Sequence, residues 1–222
     1  MLFSKAVVAL SAVVVTASAA PLFPSNNLKL EKRDDDLPAR VPYIFPAPGI
    51  DPLADAIRER HGTLLDLDGL LLNAPKLASG WNDLFGVIRD GNSLPGTMRE
   101  LFILRTAVLN SAAYQWLQHE SVGREEGLTT EQLRIIRFTP PFVQTKHTES
   151  ILGPQLSAAM SYADWITKSV QVPDRVFKGL KQFLNDQQIV EATMTAGSYN
   201  LVSRFVVALD ADAKMGVPVP FV

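Results

Sequence analysis

Punctuation is what most constrains how this chain can fold. Prolines stand where helices would begin (Pro52 after Asp51, Pro75 after Ala74, Pro95 after Leu94, then Pro154 and Pro173), and Gly62, Gly91, Gly127 and Pro140-Pro141 stand where they would end. Proline presets φ and lacks an N–H, so it suits a first turn and is expelled from a helix interior, while glycine tolerates the left-handed residue that closes one. Between these marks apolar residues recur every three or four positions, and period-two alternation is nearly absent. The expectation is an all-α, multi-helix bundle with its helical core at about 50–210.

The segments can be placed one by one. Asp51 with Pro52 opens a helix closed by Gly62; Leu77, Trp81, Leu84, Phe85 and Ile88 mark a core helix ending at Gly91; and TMRELFILRTAVL sets Leu101, Leu104 and Val108 on one face. Asn110-Ser111 supplies cap chemistry for a helix from 112 to about 126, and Thr129 with Gln132 forms a capping box for TEQLRIIRF. Further helices follow Pro154, Pro173 and Asp186, the last ending near Leu209, and the tail MGVPVPFV is extended. In that last helix Leu201, Phe205 and Leu209 read as core, and Arg204 among them calls for a buried carboxylate, Asp164 or Glu191.

The first residues, MLFSKAVVALSAVVVTASAA, carry Lys5, a short apolar run and Ala17-Ser18-Ala19, the three parts of a secretory signal over residues 1–19. The run is shorter than the roughly 20 residues a membrane span takes, so no membrane association is expected after its removal. A pro-segment at 20–33 would end at the dibasic Lys32-Arg33, leaving one domain at 34–222 in a secreted protein. Cleavage there removes four basic groups and one acidic group from totals of 21 and 23, leaving 17 and 22, a net charge of −5. That balance offers no basic face for nucleic acid. Cysteine is absent, which excludes disulfides, thiolate metal sites and thiol catalysis.

Chemistry has few places to sit. His119 follows Gln115 by four residues, Trp116 by three and Ala112 by seven, so these line one side of a helix, whereas Glu120 points elsewhere, toward a solvated pair with Arg124. The other histidines, His61 and His147, have no partner pattern, and three scattered histidines make no metal site by spacing.

The run LPGTMRELFILRTAVLNSAAYQWLQHESVGREEGLTTEQL resembles the carboxymuconolactone decarboxylase family, part of the alkyl hydroperoxidase D-like superfamily. The resemblance extends upstream through LLLNAPKLASGWNDLFGVIRDGNSLPG and downstream through LKQFLNDQQIVEATMTAGSYNLVSRFVVAL. It implies an alkyl hydroperoxidase D-like helical bundle, a homo-oligomer, and a cofactor-free decarboxylation of a small carboxylated lactone. In the peroxidase branch a glutamate, a Cys-x-x-Cys pair and a histidine form the site; their positions fall here on Glu100, on Ala112 and Gln115, and on His119. The redox pair is missing, so this is a branch without thiol peroxidase chemistry. A glutamate and a histidine remain, enough to move protons, with the carboxylate orienting the ring and favouring its charged form.

The expected catalytic residues are therefore His119 and Glu100, with Arg105, Gln115, Tyr114 and Trp116 binding substrate. For Glu100 a second reading is a helix cap, because Thr97-Met98-Arg99-Glu100 matches the capping-box pattern. Tyr114 and Trp116 are equally readable as core, and Arg105 as one half of a structural ion pair. Two further functions stay open: a secreted cofactor-independent cyclase or isomerase, and a non-catalytic binding module on the same fold.

Overall fold

The computed structural model describes residues 38–221, which lie within one compact unit, Lys32–Val222. The signal and pro-segment expected at 1–33 fall outside the described residues. The described residues hold α1 (Pro52–His61), α2 (Asp66–Leu71), α3 (Pro75–Asp90), α4 (Gly96–Leu109), α5 (Ala113–Glu125), α6 (Thr130–Phe138), α7 (Lys146–Lys168), α8 (Asp174–Lys181) and α9 (Asp186–Ala208), and a short 3-10 turn at Ala211–Ala213. No strand occurs among them, so the chain is all-α.

The punctuation works as its chemistry requires. Asp51 accepts from the N–H groups of Leu53 and Ala54 at the start of α1, and Gly62 ends it at φ +81°. Thr129 and Gln132 form the capping box of α6, and an analogous box at Asn185 and Gln188 opens α9. α7 begins earlier than Pro154 implies, because Thr145 caps it at Lys146; the proline instead follows a break at Gly153, which takes φ +71°. α5 has no side-chain cap, and its lead-in is Ser111 at φ +55° rather than an Asn110-Ser111 cap.

α4 organises the rest. Ten of its fourteen residues are buried, including Leu101, Phe102, Ile103 and Leu104, and α5, α6, α7 and α9 pack around it. A helix apolar on nearly every side has to be enclosed in this way. The extended stretch before α1 is tied to the far end of the chain, with Arg40 N–H donating to Leu209 O (2.8 Å) and Ala213 N–H to Pro38 O (2.8 Å).

Three sequence expectations about the core need correction. On α3, Trp81, Phe85 and Ile88 turn inward, but Leu77 is 69% exposed and Leu84 also faces out. Leu201 on α9 is 49% exposed rather than core. Arg204 is exposed too and donates to Asn200, so it needs no buried carboxylate; Asp164 pairs with Arg105, and Glu191 accepts from Ser93. Helical periodicity gives the angle between residues but not which neighbour covers each face.

Candidate active site

The turn at 110–112 folds α5 back onto α4, and Gly123 lets the two helices approach closely. A Cβ at Gly123 would lie 3.0 Å from Leu104 Cδ1, 3.2 Å from Leu128 Cδ1 and 3.6 Å from Glu100 Cβ. This crossing carries His119 to Glu100, nineteen positions earlier, with Nδ1 2.9 Å from Oε2. His119 is 7% exposed and Glu100 1%. The capping reading of Glu100 fails, because Pro95 is the N-cap of α4 and makes no side-chain cap bond. Besides His119, Glu100 receives only a long contact from Arg99 Nε (3.4 Å), and the other end of that guanidinium reaches Glu126. With Nδ1–H donated to Glu100, Nε2 is the ring nitrogen left over, and it makes no hydrogen bond with any described residue.

His119 lines a narrow pocket of about 50 Å³ between α1, α2, α3, α5 and α9. Leu67, Trp81, Phe85 and Val202 give it an apolar wall, Tyr114, Gln115, Gln118 and Tyr199 contribute polar groups, and Arg60 and Arg89 complete the lining. Tyr199 stands edge-on to the His119 ring, centroids 5.0 Å apart. Burial pushes its phenol well above the ordinary tyrosine range, so it stays protonated and can only donate or accept hydrogen bonds. Burial does the same to Tyr114, whose oxygen accepts from Leu67 N–H at 3.2 Å. A larger groove of about 620 Å³ lies elsewhere, between α7 and α8, but it holds no buried acid and base in contact. The smaller pocket is the candidate site because the chemistry is there.

Of the residues expected to bind substrate, two reach this pocket and two do not. Gln115 lines it, its amide fixed by donating to Ile103 O (2.9 Å) and accepting from Ser203 Oγ (2.8 Å), and Tyr114 lines it too. Trp116 is fully buried and donates its indole N–H to Glu120 (2.6 Å), away from the lining. Glu120 is thereby buried between Trp116 and Arg124, not a solvated surface charge. Arg105, at 0% exposure, spends its guanidinium on Asp164 (2.6 and 3.1 Å) and on the carbonyls of Ile136 and Thr139 (2.8 Å each). That arginine staples α4 to α6 and α7 with four of its five N–H donors and does not line the pocket.

Sequence reasoning missed Arg60, Arg89, Tyr199, Trp81 and Phe85. One signal was there: Trp81, Phe85 and Arg89 stand four apart, so the face that turns two aromatics inward also carries a cation at its end. Arg60 and Tyr199 arrive from distant helices, and no local pattern announces them.

Residues 75–145, which span α3 to α6 and both members of the acid–base pair, match the model of the carboxymuconolactone decarboxylase family. Over this stretch the chain is similar to that family. Solved structures are similar to the chain over a longer stretch. A peroxidase-related protein from Ralstonia eutropha JMP134, described as an alkylhydroperoxidase AhpD core, is 14% identical over 83% of this chain and 100% of its own, with TM-score 0.64. The debrominase Bmp8 in complex with 2,3,4-tribromopyrrole is 15% identical over 77% and 89%, with TM-score 0.60. An Agrobacterium tumefaciens protein of unknown function is 20% identical over 64% and 93%, with TM-score 0.54. At these identities the likeness is one of fold. No curated protein matches the chain. The sequence holds no cysteine, which is consistent with the expected absence of the thiol pair.

Proposed function

We propose that the protein is a cofactor-free acid/base lyase that decarboxylates a small carboxylated lactone or a related metabolite, with His119 as the proton donor and Glu100 as its partner. One observation carries this reading: Glu100 Oε2 holds His119 Nδ1 at 2.9 Å beside the pocket, which leaves Nε2 for a ligand. In the reaction the bond between the ring carbon and the carboxylate breaks, carbon dioxide departs, and the electron pair spreads into the conjugated lactone. Nε2–H of His119 then delivers a proton to the resulting enolate, and Glu100 balances the charge on the ring while it carries two protons. Apolar walls at Leu67, Trp81 and Phe85 exclude water and favour loss of the charged carboxylate as a neutral gas.

The N-terminal residues support secretion of the mature chain, and exposed apolar residues at helical spacing support self-association: Leu77, Leu84 and Val87 on α3, and Val190, Met194 and Leu201 on α9. Light scattering on the purified chain should give a multiple of the protomer mass. The narrowness of the pocket favours a second reading, a binding module that retains a small molecule without turning it over.

Carbon dioxide release from a carboxylated muconolactone separates the two. Release by the wild-type chain, lost in His119→Ala and reduced in Glu100→Gln while both variants stay folded at the assay temperature by circular dichroism, supports the lyase. Release that does not depend on His119 would remove its central residue, and binding without release by the wild type would favour the module.

A further inference from the structure

We propose that Arg60 and Arg89 form an anion-binding subsite in this pocket, which anchors a carboxylate that the ligand keeps through the reaction. Both arginines line the pocket that His119 lines, Arg60 from α1 and Arg89 from α3. Arg60 lies outside the family-matched residues 75–145. Its Nε–H donates to Asn82 Oδ1 at 2.6 Å, which fixes the plane of the guanidinium and leaves its terminal amino groups unengaged. The Arg89 guanidinium makes no hydrogen bond or ion pair with any described residue.

Two like charges at one small pocket repel each other, and neither guanidinium makes an ion pair with a described carboxylate, although the charges of Asp68 and Asp90 reach Arg60. Burial first, and the Arg89 charge second, pull the Arg60 pKa below the ordinary guanidinium value, and the carboxylates of Asp68 and Asp90 offset this only in part. The buried Tyr199 phenol lies within the field of both arginines, makes no hydrogen bond with any described residue and is a further neutral donor. Planar, forked donors of this kind match a carboxylate.

The subsite also says which carboxylate it can hold. A clamp on the departing carboxylate would stabilise the ground state more than the transition state, in which that charge is leaving, and would slow the step. The anchored group is therefore a second carboxylate, and the preferred ligand is a small dicarboxylate whose reacting end sits at the apolar wall under His119. Which carboxylate is kept rests on the decarboxylase reading above; the anion subsite itself does not.

The probe is succinate, compared with its uncharged dimethyl ester, titrated calorimetrically into the mature chain. Wild type should bind the diacid and discriminate against the ester; Arg60→Gln and Arg89→Gln should each weaken succinate by about 10–100-fold, as loss of a charged hydrogen-bonding partner does. Arg89→Lys should restore part of the loss, Asn82→Ala should weaken binding by releasing Arg60, and raised salt should weaken wild type more than either glutamine variant. Melting temperatures of all variants should stay at the wild-type value, since both arginines are only partly buried. Equal binding of acid and ester, no succinate binding by wild type, or glutamine variants that bind as wild type does would each overturn the subsite. His119→Ala should still discriminate acid from ester; if that variant also keeps turnover, the decarboxylase reading falls while the anion subsite stands.

Discussion

Asp164→Asn is the sharpest test of what holds the bundle together. Asp164 accepts from Arg105 Nε and Nη2 and from Phe142 N–H (2.8 Å), and Arg105 is fully buried. Asparagine keeps the shape but removes the counter-charge and turns an amide NH2 toward one of those donors. Arginine has no deprotonated form to retreat to, so the charge stays buried and unpaired. Removing one partner of such a pair costs about 3–5 kcal/mol, against a total stability of about 5–15 kcal/mol for a domain. At roughly 2–4 °C per kcal/mol for a chain of this size, the melting temperature should fall by about 6–20 °C. Urea unfolding followed by circular dichroism measures the loss directly. Arg105→Met combined with Asp164→Leu should recover at least half of it, because the buried charge leaves with its partner. A single variant within about 1 kcal/mol of wild type, or a double variant no better than the single, would refute the reasoning.

Three other perturbations follow from the same structure. Val170 is β-branched, 81% exposed and held at φ +65°, so Val170→Gly should raise stability by about 1 kcal/mol in denaturant unfolding. Burial first, and the Asp212 charge second, raise the Asp66 pKa, so the folded state disfavours the ionised carboxyl; Asp66→Asn should be the more stable protein at neutral pH, and the advantage should vanish as acid protonates Asp66, read from melting temperatures across pH. Gly123→Val would drive a side chain into Leu104 and Leu128, costing about 1–3 kcal/mol and opening the α4–α5 crossing, so turnover measured well below the melting point should drop further than the stability loss alone explains.

Much of this was legible in the chain because it is written locally. Caps at Asp51 and Thr129, glycine stops and 3.6-residue periodicity depend on neighbours within one turn, and the helices formed where those signals stand. The meeting of Glu100 and His119 was legible through the family pattern, which carries a three-dimensional relation in its spacing. Burial was less so: Leu201 and Leu77 have core spacing and face outward, and Glu120 has a surface spacing and is enclosed. Arg105 shows the limit most plainly. A cation one turn from a glutamate expected in the site fits substrate binding equally well until Asp164, 59 positions later, is seen to claim it. The arginines that do line the pocket come from α1 and α3, and only the fold brings them to His119.

Proton delivery by the buried pair is the core of the account, and isotope incorporation reports on it directly. A carboxylated muconolactone turned over in D2O by wild type should give product carrying one solvent deuterium on a ring carbon of the delocalised enolate, and His119→Ala should give no such product above the uncatalysed rate. Equal yields of deuterated product from wild type and His119→Ala would contradict it.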